Sequence, residues 1–268
     1  MDKPVPYDPR RFQSAVPYYV RHRLGYPERL IARVIALLRM APGEAVLDLG
    51  AGPGSLSLPF ARAGMAVTAA DPEPEMLAAA HEIAEAEGLC LQYWQGGSYD
   101  LTPGMGPFDL VAIGRAFHWM DRAATLTMLD RIVRPGGAVA FFHDAHPVLP
   151  ENEWFKIVCK VGDRYGRAAQ PHIAERKALG HRRYEPSLYQ SAFTQLDGLS
   201  VTIRRPISED EIVGRAFSQS TTAPDKLGAR ADAFEAELRE RLRALSPEGV
   251  FVEIAELVAL VARRNHGP

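Results

Sequence analysis

Val46-Leu47-Asp48-Leu49-Gly50-Ala51-Gly52-Pro53-Gly54 decides how this chain folds. Ala45 to Leu49 is an apolar run of the length and composition of a buried parallel strand. Gly50, Gly52 and Gly54 follow it at every second position. Glycines directly after such a strand let the backbone turn sharply and approach a ligand without Cβ interference. A dinucleotide fingerprint requires G-x-G-x-x-G, with pyrophosphate on the helix N-terminus. Here the third glycine arrives one residue early, Ser55 holds the dinucleotide position, and Pro53 stiffens the loop. Asp48, two residues before the first glycine, repels a pyrophosphate but suits a ligand carrying an ammonium group. A tight strand-to-helix turn with no ligand is the plainer alternative.

The bulk composition narrows the class. With 268 residues, the chain is long enough for one large α/β domain or a domain with a sizeable insertion. A hydrophobic content of 47% with 24% charged residues is that of a globular protein with a buried core. Lys+Arg 31 against Asp+Glu 33 leaves a net charge of −2, so there is no electrostatic footprint for nucleic acid. The His181-Arg182-Arg183 patch reads as a solvated surface. Cys90 and Cys159 stand far apart without metal spacing, as thiols of a reducing compartment do, and His172 and His181 have no ligand partner at metal spacing. No signal-peptide core and no run near about 18 apolar residues occurs. These features predict a cytoplasmic protein without a membrane span, monomeric or homodimeric. Residues 1–11, rich in proline and charge, are expected to be mobile.

Along the chain, a helix is expected after Pro27, with Leu30, Ile31, Val34 and Ile35 on its apolar face and Pro42-Gly43 at its end. Strand one, Ala45 to Leu49, leads through the glycine loop into a helix carrying Leu56, Leu58 and Phe60. Strand two, Ala66 to Ala70, ends in Asp71 and precedes a helix over Glu75 to Glu87. Leu89 to Trp94 and Phe108 to Ile113 form strands three and four. A helix over Arg122 to Val133, a turn at Arg134-Pro135-Gly136-Gly137 and strand five, Ala138 to Phe142, follow. Five strands alternating with helices argue for a parallel, doubly wound sheet. Beyond His143 the alternation breaks. Glu151 to Tyr165 reads as a helix, Leu199 to Pro206 as a strand, and Ser208 to Glu211 as a capping box opening another helix. Asp225 to Leu245 reads as one long helix with a solvated Glu/Arg face, while Gly249 to Val261 is ambiguous between strand and helix.

Ligands of such a sheet lie beyond the carboxyl ends of its strands, near strand one. Asp71 therefore faces whatever the glycine loop holds, and its carboxylate can accept two hydrogen bonds from ribose hydroxyls. Pro72 and Met76 could floor an adenine ring, although Met76 serves equally well as a core residue of its helix. Gln95-Gly96-Gly97-Ser98-Tyr99-Asp100-Leu101 follows strand three, and Gly114-Arg115-Ala116-Phe117-His118-Trp119-Met120 follows strand four. Phe117, Trp119, Phe141 and Phe142 suit either an apolar acceptor pocket or the core.

The glycine loop resembles the first motif of the class I S-adenosylmethionine (SAM) methyltransferases. Phe117-His118-Trp119, Asp121 and the Arg-Pro-Gly-Gly turn resemble the type 11-like, small-molecule branch related to trans-aconitate and ubiquinone-biosynthesis methyltransferases. This resemblance covers residues 12 to 145. It implies a Rossmann-like, seven-stranded doubly wound α/β sheet with a helical lid or insertion between strands five and six, and Gly249 to Val261 is then a strand. The organisation expected is a lid and SAM-binding core over 1–146, an insertion shaping the acceptor pocket over 147–195, and a C-terminal completion of the sheet over 196–268. S-adenosyl-L-methionine is the implied cofactor, S-adenosyl-L-homocysteine its product and a small molecule the acceptor.

Matching Tyr26-Pro27 to the family's Y…R-P-x-Y-P lid puts Tyr19 and Arg23 on its Tyr and Arg, near the methionine carboxylate, with Leu24 in place of the usual proline. The adenine-binding acid after strand three falls on Gly97, which leaves Ser98, Tyr99 and backbone groups for that contact. The implied cofactor contacts are Tyr19, Arg23, Asp48, Gly50, Gly52, Gly54, Asp71, Pro72, Met76, Ser98, Tyr99 and Arg115. His118 is the candidate general base, or else a packing and hydrogen-bonding residue, and His143 and His146 are secondary candidates. A SAM-binding partner without transferase activity has the same core, and a nicotinamide-dependent reductase is disfavoured by the early third glycine.

Overall fold

The computed structural model describes residues 13–166 and 184–265. Residues 1–11, His172 and the His181-Arg182-Arg183 patch lie outside the described residues. Seven strands form one sheet: β1 (Ala45–Leu49), β2 (Ala66–Asp71), β3 (Gln92–Gln95), β4 (Phe108–Gly114), β5 (Val133–Ala145), β6 (Gln195–Ser208) and β7 (Val250–Arg263). Their order is β3-β2-β1-β4-β5-β7-β6. The first five run parallel, and β7 inserts antiparallel to both β5 and β6. The ambiguous apolar stretch near the C-terminus is thus a strand of this Rossmann-like sheet.

Residues of β1 alternate between two cores, as the period-two geometry of a strand demands. Val46 packs with Leu30, Ile31 and Val34 of α2 (Glu28–Leu38) and with Phe60 of α3 (Ser57–Arg62). Leu47 and Leu49 pack on the opposite face with Leu126, Leu129 and Ile132 of α5 (Arg122–Ile132). The remaining helix of this half, α4 (Pro74–Ala86), lies between β2 and β3. A third cluster joins Trp154 and Val158 of α6 (Glu153–Gly166) to helices near the C-terminus. These are α8 (Glu209–Phe217) and α10 (Ala231–Leu245), while α7 (Glu185–Tyr189) precedes β6.

Three local expectations change. The Arg-Pro-Gly-Gly segment is not a turn before strand five but lies inside a longer β5, which begins at Val133. The β4–β5 register shifts there, with Phe108 opposite Val133 but Leu110 opposite Ala138. Gly136 has φ +80 and a Cβ on Gly137 would lie 2.8 Å from the Asp109 carbonyl, so the glycines make a bulge that side chains would obstruct. The helix expected over Asp225 to Leu245 is broken: α9 (Pro224–Leu227) stops at Gly228, whose φ of 55 and ψ of −132 are not helical. Strand three begins at Gln92 rather than Leu89, and β6 and β7 extend beyond their expected ends.

β6 forms one edge of the sheet. Arg29 and Arg33 of α2 reach it, donating to the carbonyls of Thr202 at 2.6 Å and Ser200 at 2.7 Å.

The N-terminal helix α1 (Val16–His22) is tied to the sheet by ions. Glu253 of β7 is fully buried and accepts from His146 Nε2 at 2.8 Å, Arg205 Nε at 2.8 Å and both terminal nitrogens of Arg215. Burial alone would raise this carboxyl. The His146 hydrogen bond and the two guanidiniums outweigh it and hold the group down to about 2. Arg215 Nε also donates to the His22 carbonyl at 3.2 Å, which joins α1 to β7 through one side chain. Truncating Glu253 to alanine leaves a buried guanidinium without its carboxylate, which costs about 3–5 kcal/mol. Chemical denaturation is expected to register that loss.

Candidate active site

The glycine loop is held by carboxylates at the ends of two strands. Asp71 closes β2; its Oδ2 accepts from the Gly52 N–H at 2.8 Å and its Oδ1 from the Glu73 N–H at 2.9 Å. Asp48 lies in β1 and is 1% exposed. Its Oδ2 accepts from both the Ser57 N–H at 2.9 Å and the Ser57 hydroxyl at 2.6 Å, anchoring the start of α3. The expectation that Asp48 faces a ligand ammonium is thus joined by a plain structural duty. Burial pushes Asp48 up to about 7 against the opposing Ser57 hydrogen bonds, and it pushes Asp71 up to about 6. Gly50 has φ +79, and a Cβ there would sit 2.6 Å from the Ala116 Cβ. The loop therefore lies flat against the segment that follows β4.

Met76 is 3% exposed, and its sulfur is 4.0 Å from where a Gly52 Cβ would stand. Pro72 is half-buried and equally close, 3.9 Å, to a Cβ built on Gly97. Both line the loop's β2–β3 side. Gly97 donates to Asp100 Oδ2 at 2.8 Å, which shapes the turn after β3. Ser98 on that turn is half-buried, whereas Tyr99 is 58% exposed and is not brought together with the other candidates.

After β4 the triplet Phe117-His118-Trp119 forms a short 3-10 turn. Phe117 is fully buried against Phe141 and Tyr184, with ring centroids 4.6 and 5.2 Å away. His118 and Trp119 are half-buried, with their rings 4.8 Å apart. Phe141 and Phe142 are core residues, fully buried on opposite faces of the sheet. His143 lies in β5. His146 is committed to Glu253 and stacks on Phe155 at 4.2 Å.

Tyr19 and Arg23 converge with Arg115 beneath α1. The Arg23 guanidinium carbon lies 5.0 Å from the Tyr19 ring centre, and that of Arg115 lies 6.0 Å from it and 4.9 Å from Tyr26. Arg115 opens the loop after β4 in the left-handed region, φ 54, an uncommon conformation for a side-chain-bearing residue. One of its terminal nitrogens, Nη1, donates to Asp144 at 2.9 Å and to the Leu24 carbonyl at 3.0 Å. Arg23 in turn donates to the Ser218 carbonyl at 3.1 Å. Burial would raise Asp144, but Arg115, Arg23 and His146 together hold it below the usual carboxylate range. Asp144 and Arg215 escaped the motif reading, and Tyr26 entered it as the anchor of the lid alignment without a role of its own. Asp144 alone had a signal, an acid at the end of a strand as Asp71 is.

The charge on Asp48 generates a test. Its folded-state value lies above the unfolded one, so stability falls as pH rises from about 4 to about 7. Asp48→Asn keeps an acceptor for Ser57 and does not ionise. Thermal melts are expected to show the variant gaining over wild type on going from pH 5 to pH 8, by roughly 2 kcal/mol.

Residues 46–137 match the model of a methyltransferase domain. An uncharacterized methyltransferase of Mycobacterium bovis is 31% identical over 160 residues, 60% of this chain and 60% of that protein. A ubiquinone biosynthesis O-methyltransferase of Methylocella silvestris is 37% identical over 100 residues, 37% of this chain and 39% of that protein. The chain thus spans well under two thirds of the length of these relatives. Among solved structures, a SAM-dependent methyltransferase from Thiobacillus denitrificans in complex with S-adenosyl-L-homocysteine superposes with a TM-score of 0.53 at 22% identity, covering 96% of this chain and 99% of that one. A putative type II methyltransferase from Anaeromyxobacter dehalogenans gives 0.55 at 22% identity, covering 90% and 97%. The chain thus carries a methyltransferase domain over residues 46–137, set in a seven-stranded sheet of order β3-β2-β1-β4-β5-β7-β6.

Proposed function

We propose that this protein transfers a methyl group from S-adenosyl-L-methionine to a small-molecule acceptor. The observation that carries the reading is the coupling of the glycine loop to Asp71 through the Gly52 N–H. Each Asp71 oxygen accepts one backbone N–H and has lone-pair capacity left for a ribose diol. The residues fit the cofactor in other respects. Gly50, Gly52 and Gly54 all have positive φ, which keeps side chains out of the cradle. Pro72 and Met76 offer an apolar floor, and Ser98 a polar edge, for adenine. Tyr19 and Arg23 suit the amino-acid end, where a guanidinium meets a carboxylate. Asp48, behind the loop, anchors the helix that follows it through Ser57.

When bound, the cofactor supplies an electrophilic methyl group on a positively charged sulfur. The chain's own work is then orientation, exclusion of water and, for a hydroxyl or ammonium acceptor, removal of a proton. Orientation alone accounts for as much as roughly 7–11 kcal/mol of a barrier in favourable cases. Tyr19 of α1 packs on Arg23 and on Arg115 at the end of β4, a position from which α1 can keep water from the reacting atoms. His118, half-buried on the loop after β4, takes the acceptor proton on a ring nitrogen.

Calorimetry with S-adenosyl-L-methionine tests the cofactor reading, and binding of a nicotinamide dinucleotide in its place would sink it. Asp71→Asn retains the backbone contacts better than alanine does and removes one acceptor. It is expected to weaken cofactor binding by about tenfold. In a screen that detects methylated acceptors by mass, His118→Ala is expected to slow turnover by about 10²–10⁴ while cofactor affinity stays near that of wild type. A pH–rate profile identical in wild type and variant would remove His118 as the base. Cofactor binding with no acceptor methylated across a broad panel would favour a binding protein over an enzyme.

A further inference from the structure

Beneath α1, the guanidinium of Arg115 uses only one of its three nitrogens. Nη1 serves Asp144 and Leu24, whereas Nε and Nη2 are buried with no hydrogen-bond partner among the described residues. Arg23 Nε and the Tyr26 hydroxyl, grouped around the same guanidinium, are buried and unpartnered as well. A buried donor without an acceptor carries a desolvation cost of about 1–3 kcal/mol, more when charged. Four such atoms in one place amount to a site lacking its acceptor. The charges agree: among the described residues, Arg23 and Arg115 share the carboxylate of Asp144, because Arg215 is already matched by Glu253.

The orphaned pair is chemically specific. Nε–H and Nη2–H form the side-on edge of a guanidinium, two parallel donors whose spacing matches the two oxygens of a carboxylate. The position is specific too. Arg115 leads directly into the turn that carries His118, and it is braced by Asp144 at the end of β5. That is the β4–β5 side of the sheet, while Asp71 and the adenine floor lie toward β2 and β3. The left-handed backbone at Arg115 is what turns the strand end under α1.

Resting on the methyltransferase reading above, we infer that the acceptor bears a carboxylate, received bidentately by the Nε–Nη2 edge of Arg115 with the Tyr26 hydroxyl as a further donor. Arg115 is thereby a specificity-determining residue for the acceptor rather than one of the cofactor contacts. The cofactor's own amino-acid carboxylate is the competing source of the same chemistry. In this arrangement the Tyr19 ring lies over both guanidiniums, so α1 must shift to admit the acid.

The test titrates benzoate against benzamide, and succinate against succinamide, into wild-type protein saturated with S-adenosyl-L-homocysteine, followed by ligand-observed NMR. Each acid is expected to bind at least about tenfold more tightly than its amide, the value of one charge-assisted fork. Arg115→Gln is expected to abolish that preference. Arg115→Lys, which keeps a cation against Asp144 and so guards against a folding defect, is expected to cut it to about threefold or less. Both variants retain S-adenosyl-L-homocysteine affinity within about threefold if the fork belongs to the acceptor. Equal binding of acid and amide, no binding of either, or a preference that survives both substitutions overturns the proposal. A loss of about tenfold or more in S-adenosyl-L-homocysteine affinity also overturns it, assigning the fork to the cofactor. Failure of the wild type to bind S-adenosyl-L-homocysteine is a separate result, seen before any acid is added, and it strikes the cofactor reading itself.

Discussion

Two carboxylates withdrawn from water at the ends of adjacent strands organise this molecule. Such burial is unfavourable unless donors replace the lost solvent. For Asp71 the donors are backbone N–H groups of Gly52 and Glu73, and for Asp48 they come from Ser57. The donors are the ligand loop and the helix that follows it, so folding the loop and satisfying the acids are one event. Because Gly52 is held from β2 while Gly50 rests against the segment after β4, the loop bridges the point where the strand order reverses.

A second set of ions organises the other end of the sheet. Glu253, inside a largely apolar strand, gathers His146, Arg205 and Arg215, and Arg215 reaches on to the backbone of α1. Helix α1 is therefore held to the rest of the molecule by directional, charge-assisted bonds as well as by the apolar contact of Tyr18 with Phe217. Arg23 and Arg115 add two more, to the Ser218 and Leu24 carbonyls. Each of these contacts is a single guanidinium N–H to a backbone carbonyl, so together they fix the position of the N-terminal segment.

What could be read from the residues in order was the half of the fold built from local contacts. The apolar run at Ala45, the glycine spacing and the acid at position 71 are each specified within a few residues. The capping box at Ser208 was legible for the same reason and is formed, with Glu211 reaching back to the Ser208 N–H. Pairings across long separations were not legible. Glu253 meets Arg215 across 38 positions and His146 across 107, and nothing in the strand's alternation marks the acid as buried. Helix propensity also misled where a single glycine decided the outcome: the Glu/Arg periodicity of Asp225 to Leu245 runs straight through Gly228, yet the backbone breaks there. At the site, Asp71, the Tyr26 motif and the Arg115 loop were accessible in sequence, whereas Asp144 matters only because the sheet brings it to Arg115.

The outer rim of β6 has a consequence beyond this site. All fourteen of its residues are in register with β7, and among the described residues no strand pairs with its other side, where backbone groups form the kind of edge on which an extended chain can pair. Arg29 and Arg33 occupy two of those acceptors with guanidiniums from α2. A foreign strand would have to displace both cations before it could zip on. The same helix that packs on one face of the core thus also places two cations on backbone acceptors of the sheet's edge strand.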